Sequence, residues 1–178
     1  SVLGAGWTHS YNVRLVRDDD CGTLTVIGGE GSGNAFSIAS GHTDLAQAAL
    51  WGLAPAAKFF NPQVGYHSTL VQAEPAANPD SFDFYTKAHI RYHFEANPNP
   101  LKHAYDLKFI EEPNGNRIEL YYDRNDAGWS ALPASLQPMI DADASTLDVV
   151  RGASGRAVIL NSDDMAQWQR IVALTGYS

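Results

Sequence analysis

The chain is short of the residues that several function classes require. It has one cysteine, Cys21. A lone thiol excludes an internal disulfide framework and a cysteine-rich zinc site. Its neighbours Asp18, Asp19 and Asp20 make an acidic setting that does not favour a thiolate, so Cys21 reads as structural or incidental. Positive charge is scarce too: 12 Lys and Arg stand against 20 Asp and Glu, a formal charge of -8. Phosphate affinity needs concentrated basic charge, so a free-standing nucleic-acid binder is disfavoured. No apolar run approaches the length of a membrane span. No signal peptide is visible where Ser1 opens onto Val2-Leu3-Gly4-Ala5-Gly6-Trp7. Secretion stays compatible with this start, because a leader can be removed or lie upstream.

What is present is a globular mixture. The 178 residues are 44% hydrophobic and 18% charged, which suits one domain or a compact piece of a larger one. Strand signals dominate. Leu24-Thr25-Val26-Ile27 is a short β-prone run, and Phe82 to Lys87 precedes His89-Ile90-Arg91-Tyr92-His93-Phe94. In the latter, Ile90, Tyr92 and Phe94 share one face, and His89, Arg91 and His93 the other. A helix is expected over Leu45–Trp51, capped by Thr43 or Asp44 and stopped by Gly52 and Pro55. A second short helix is expected near Leu136–Ile140, limited by Pro133 and Pro138. Residues 75–79 and 98–100 read as proline-rich loops between strand pairs.

The segment from Leu107 to Asp123 is the most informative. Asn114-Gly115 is a two-residue hairpin signal. With that tip, Phe109 faces Leu120, Leu107 faces Tyr122, and Glu112 faces Arg117. Tyr105, Leu107, Phe109, Ile118, Leu120 and Tyr122 are then expected on one face. Forty positions later, Leu147 to Asp163 repeats the pattern, with Ser154-Gly155 at the tip and Val149 facing Leu160. A weaker third copy runs from Leu24 to Ile38 through Ser32-Gly33-Asn34. Arg170 to Thr175 reads as the opening strand of another unit. One hairpin cannot bury its apolar face alone, so repeated hairpins stack side by side. The expected fold class is all-β: mainly antiparallel hairpins in a large curled sheet, with one or two short helices in inserts. Residues 1–178 are read as a single β-rich region, with hairpin units near 24–38, 82–94, 107–123 and 147–163. It is expected to be a fragment, or a subunit that continues into another chain through open sheet edges.

These residues resemble the RHS-repeat (YD-repeat) family. Gly4-Ala5-Gly6-Trp7-Thr8-His9-Ser10-Tyr11 is similar to the segment before the repeats proper. Gly65-Tyr66-His67-Ser68-Thr69-Leu70, Arg91-Tyr92-His93-Phe94 and the paired hairpin units also look familial. Asn161-Ser162-Asp163 departs from the usual aromatic-Asp ending, and residues 41–60 and 125–145 are not repeat-like. The resemblance implies a long β-sheet that spirals into a hollow shell around a toxic C-terminal domain, in a secreted or surface-delivered bacterial protein. Many members release that domain by self-cleavage with aspartates in a C-terminal motif. No segment here matches the motif, so no catalytic residue carries over. The implied role is structural and non-enzymatic: an early part of the shell wall. Its implied partners are the rest of the shell or copies of itself, and an enclosed toxin domain.

The chemical alternatives are weak. His89 and His93 flank Arg91 but lie too far apart along one strand to converge on a metal without bending, and no third ligand is recognisable. His9, His42, His67 and His103 lack ligand spacing. Asp18-Asp19-Asp20 lacks the spacing of a calcium loop and reads as a solvated loop tip. Gly28 to Gly33 lacks the Lys-Ser/Thr pair of a phosphate loop and reads as a hairpin tip. No Gly-x-Ser-x-Gly elbow exists. No catalytic, cofactor or metal residue is therefore assigned. The other reading is a carbohydrate-binding surface module in which Tyr85 and Tyr121 stack sugars on the non-core face. Trp7, Trp51, Trp129 and Trp168 are too scattered to define a groove.

Overall fold

The computed structural model describes residues 11–62, 65–97, 103–121, 149–152 and 157–159. Two compact units divide them: residues 9–115, and the chain from residue 116 onward. The second helix expected near Leu136–Ile140, the strand at 170–175, the opening segment 4–10, Trp129, Trp168 and Tyr122 lie outside the described residues.

The described residues of 9–115 hold nine strands: β1 Arg14–Asp18, β2 Thr23–Ile27, β3 Gly33–Ser37, β4 His42–Thr43, β5 Lys58–Phe60, β6 Thr69–Gln72, β7 Ser81–Tyr85, β8 Arg91–Ala96 and β9 Ala104–Glu111. They form one sheet in the order β4-β5-β6-β7-β8-β9-β1-β2-β3. Each of these neighbouring pairs is antiparallel, as the all-β reading expects. Most neighbours are consecutive in sequence. The exception is β1 against β9, where Leu15 sits opposite Tyr105.

The sheet curls until its far end returns. Phe36 on β3 bridges Pro62, just after β5. Next to that bridge, the Asn61 N–H donates to Ser40 Oγ at 2.9 Å. The Phe36 ring meets the Phe84 ring edge-on at 6.1 Å, from β3 to β7 across the interior. Side chains of the inner face fill the space. Leu15, Leu24, Phe36, Leu70, Phe82, Phe94 and Leu107 are at most 2% exposed. Each such burial contributes about 1.5–3 kcal/mol. Alternation explains the choice: Phe82 and Phe84 point inward beside the paired Phe94 and Tyr92, while Asp83 between them points outward.

Among the described residues the one α-helix, α1, spans Leu45–Trp51. Asp44 is its cap, accepting from the Gln47 N–H at 3.0 Å, and Gly52 ends it in the left-handed region. These are the boundaries expected from sequence. A single 3-10 turn at Ile38–Ser40 precedes it.

Four local expectations are corrected. The turn after β9 is not a two-residue Asn114-Gly115 tip. The Gly115 N–H donates to the Glu112 carbonyl at 2.9 Å, and only Gly115, at φ 86°, enters the left-handed region. Pro113 and Asn114 thus occupy the centre of a turn that Gly115 completes, because proline presets the first central φ. Second, the β2–β3 reversal lies at residues 28–32, within the glycine-rich hairpin tip expected there but ahead of the Ser32-Gly33-Asn34 turn of the repeat; the Gly28 N–H donates to Ser32 O at 2.7 Å. Gly33 and Asn34 are strand residues opposite Ile27 and Val26. Third, Leu107 and Phe109 do not share a face. Between β8 and β9 the register shifts: Phe94 opposes Leu107 while its neighbour His93 opposes Phe109. Lys108 is the extra residue of a β-bulge, and it turns Phe109 outward. Fourth, His89 is not part of the strand face with Arg91 and His93. It sits in the β7–β8 turn at φ 59°, donating its N–H to the Thr86 carbonyl.

From residue 116 onward, β10 Arg117–Tyr121, β11 Val149–Arg151 and β12 Ala157–Ile159 form an antiparallel ladder. The β11–β12 hairpin expected from the repeat is present. Its register is one residue off the expected one: Val149 opposes Ile159, not Leu160. The expected Ser154-Gly155 tip lies outside the described residues.

Candidate functional site

The outer face of the β5–β9 region divides into an apolar half and a charged half. The apolar half lies under α1. Ala48 of the helix is buried with Ala57, Phe59 and Val71, and Trp51, Leu53 and Tyr85 pack around them. Trp51 approaches Tyr85 at 4.7 Å, Phe59 at 5.9 Å and His89 at 5.7 Å between ring centroids. The other side of α1 is bare: Leu45 is 68% and Leu50 82% exposed.

The charged half is set by the β7–β8–β9 register. Asp83 opposes His93, Tyr85 opposes Arg91, and Arg91 opposes Glu111. Asp83 is only 4% exposed, although it faces outward, because these neighbours cover it. His93 Nδ1 is 2.7 Å from Asp83 Oδ1, and His93 Nε2 is 3.4 Å from Glu95 Oε1. Arg91 Nε lies 3.1 Å from the same Asp83 oxygen, near enough for attraction but off hydrogen-bond alignment. Arg91 also reaches Glu111 at 3.7 Å. The Phe109 ring lies against both His93 and Arg91. It stacks on His93 at 4.5 Å with a 14° tilt, and the Arg91 guanidinium lies 4.9 Å from its centroid. The bulge at Lys108 makes this possible by turning Phe109 out of the core.

Beside the cluster is an open cleft of about 480 Å³, lined by Asn78, Asp80, Ser81, His93 and Glu95 among others. The Ser81 N–H donates to Asn78 O, and the Ala96 N–H to Asp80 O, so the loop before β7 is fastened to this edge.

Electrostatics make His93 a clamp. Burial pushes its pKa down, but the hydrogen bonds to Asp83 and Glu95, with their charges, outweigh burial and raise it. The same bond to His93 holds Glu95 below the usual carboxylate range, against a smaller opposing effect of burial. Burial, and then the Asp83 charge, raise the Tyr85 hydroxyl. Both ring nitrogens of His93 engage carboxylates. The imidazole therefore joins β7 to β8 as a bridge between two carboxylates, and neither nitrogen is directed at open space.

The residues singled out in the sequence separate. His89 packs on Trp51, while His93 binds Asp83. Among the described residues no group of three His, Cys, Asp or Glu side chains is gathered for a metal. Asp18 accepts from the Cys21 N–H at 2.8 Å and Asp19 pairs with Arg17, so this acidic run shapes the β1–β2 turn. Asp18 also raises the pKa of the exposed Cys21 thiol. The glycine-rich run forms the β2–β3 tip. His42 tilts against Phe59, with Nδ1 2.9 Å from Ser40 O. Tyr121 is 5% exposed and its hydroxyl donates to Glu119, and Tyr85 lies against Trp51. Neither tyrosine offers the open ring that sugar stacking needs. Among the described residues no helix is long and apolar enough to cross a membrane.

Sequence reasoning missed Asp83. The available signal was the hairpin register: an Asp between Phe82 and Phe84 must share a face with Arg91 and His93 once Phe82 is set opposite Phe94. No family model, no curated protein and no solved structure matches this chain.

Proposed function

We propose that the chain is a structural, non-enzymatic segment of an RHS-like β-shell, in a secreted or surface protein that encloses or presents a toxin-like domain. One observation carries the structural part of this reading. Neighbouring antiparallel ribbons share one uninterrupted sheet whose inner face is apolar and whose polar groups are tied to each other. The chain builds it mostly by adding each strand beside the previous one, which is how a wall extends. The ladder of β10, β11 and β12 follows the same rule. The toxin-enclosing and secreted parts rest on the family resemblance of the sequence motifs. In this reading the packed interior of residues 9–115 is a solid end of the wall, and further ribbons join through sheet edges.

The charged cluster fits the structural role. Its histidine, arginine and carboxylates pair with one another across three strands, as a structural cross-link does. A catalytic reading needs a proton acceptor directed at substrate, and His93 is engaged at both nitrogens.

Electron microscopy of the naturally expressed polypeptide that carries this chain tests the proposal. The expected result is a hollow particle with this segment in its wall. A compact solid particle, or a string of separate domains, would overturn it.

A further inference from the structure

We propose that Asn114-Gly115 is a site of spontaneous backbone modification, at which the folded protein converts Asn114 to aspartate and isoaspartate. The pair sits on an exposed turn after β9, and both residues face solvent. Glycine has no side chain to shield its nitrogen from the preceding side chain. The other asparagines differ: Asn116, Asn125 and Asn161 precede Arg117, Asp126 and Ser162, each with a side chain beside its nitrogen. Asn61, Asn78, Asn97 and Asn99 precede proline, which has no N–H to deprotonate. Asn12 precedes the β-branched Val13, and Asn34 precedes Ala35 within β3. Asn114 alone precedes glycine.

The chemistry balances with water as the only co-reactant. The Gly115 backbone nitrogen gives its proton to hydroxide and attacks Asn114 Cγ. The new N–Cγ bond closes a five-membered imide, the Cγ–Nδ2 bond breaks, and Nδ2 leaves as ammonia after taking a proton from water. Water then opens the ring at either carbonyl. One opening restores the normal backbone with an aspartate. The other leaves isoaspartate, with one extra main-chain carbon.

Two hydrogen bonds hold the reacting groups in the resting turn. The Gly115 N–H donates to Glu112 O at 2.9 Å, and Asn114 Nδ2 donates to Glu112 Oε2 at 3.1 Å. Both partners belong to the exposed Glu112. Attack therefore requires this single turn to open, and no core side chain has to leave its place. Either product puts a new carboxylate beside Glu111 and Glu112, so like charges disfavour return to the original turn.

The test incubates the purified full chain, folded, in mildly alkaline and mildly acidic buffer. Tryptic digestion then yields the peptide Phe109–Arg117 for mass spectrometry, with fragment ions locating the change. The expected result is amide-to-acid conversion at Asn114, several-fold faster in the alkaline arm and several-fold faster than at Asn34. Chromatography should resolve two acid products, and the Asn114→Gln variant should show neither at that pace. An intact Asn114 in the folded chain, with conversion only after denaturation or first at Asn34, would overturn the proposal.

Discussion

At the scale of single residues, two glycines show different constraints. Gly41 is limited by space. A Cβ placed there would lie 2.8 Å from Phe60 Cε1, and the Phe60 ring is fixed in the core at 6% exposure. Gly41→Ala should therefore destabilise the fold by about 1–3 kcal/mol, as overpacking does, and chemical denaturation would read it. An unchanged midpoint would mean that the ring yields freely. Gly115 is limited by backbone angle. At φ 86° nothing crowds a Cβ, yet a β-branched residue is strained there. Gly115→Val should cost about 1–2 kcal/mol, measured as a drop in the thermal midpoint. The need for glycine here was legible in the sequence. The turn type was not, because Pro113 competes with Asn114 for the first central position and the Asn-Gly pair alone does not decide between them.

At the scale of elements, the β7–β8–β9 ribbon carries a pH dependence whose sign follows from its contacts. His93 has a raised pKa in the fold relative to its ordinary 6.5. Its contribution to stability is complete below that value and is lost as pH rises through the raised folded one. Glu95 has a lowered pKa, so its contribution is present above its ordinary 4.5 and is lost as pH falls through the folded value. Stability should thus be greatest between these two limits and decline as pH rises above 6.5. His93→Gln should flatten that decline, which urea titrations at a series of pH values would show. A decline that persists unchanged in the variant would place its origin elsewhere. Asp83 holds the cluster together, accepting from His93 and facing Arg91. Asp83→Ala should cost about 1–3 kcal/mol through lost hydrogen bonding, with the cost read by the same titrations.

Elements also show what sequence patterns can and cannot carry. Leu45–Trp51 was legible because cap, helix formers and terminating glycine agree locally. The strands at Leu24 and Phe82 were legible because β-prone residues cluster there, and the inward set of Tyr92 and Phe94 followed from alternation. Phe109 was misplaced because one residue, Lys108, resets the phase of β9. A bulge is chosen by the neighbouring strand and by what lies beneath it, so nothing local announces it. Val149 was offset for a similar reason: a register shift of one residue moves every pairing in the ladder.

At the scale of the whole molecule, side-by-side hairpins with one wet and one dry face were readable from periodicity. The joint of β1 to β9 and the return of β3 to Pro62 were not. Such pairings join residues distant in sequence and depend on the accumulated twist of every strand between them. The charged cluster was half legible for the same reason. Arg91 and His93 declared a polar face, but the partner that organises it, Asp83, came only with the register. Twist and alternation together explain why a chain with few charges can bury so many rings: the curl gives phenylalanines from opposite ends of the sheet one shared interior.

Proton NMR on the folded chain tests that curl most directly. The account expects nuclear Overhauser contacts between the ring protons of Phe36 and Phe84, together with main-chain contacts between Phe36 and Pro62. A Phe36 ring without contacts to β7, in a chain that is otherwise folded, would contradict it.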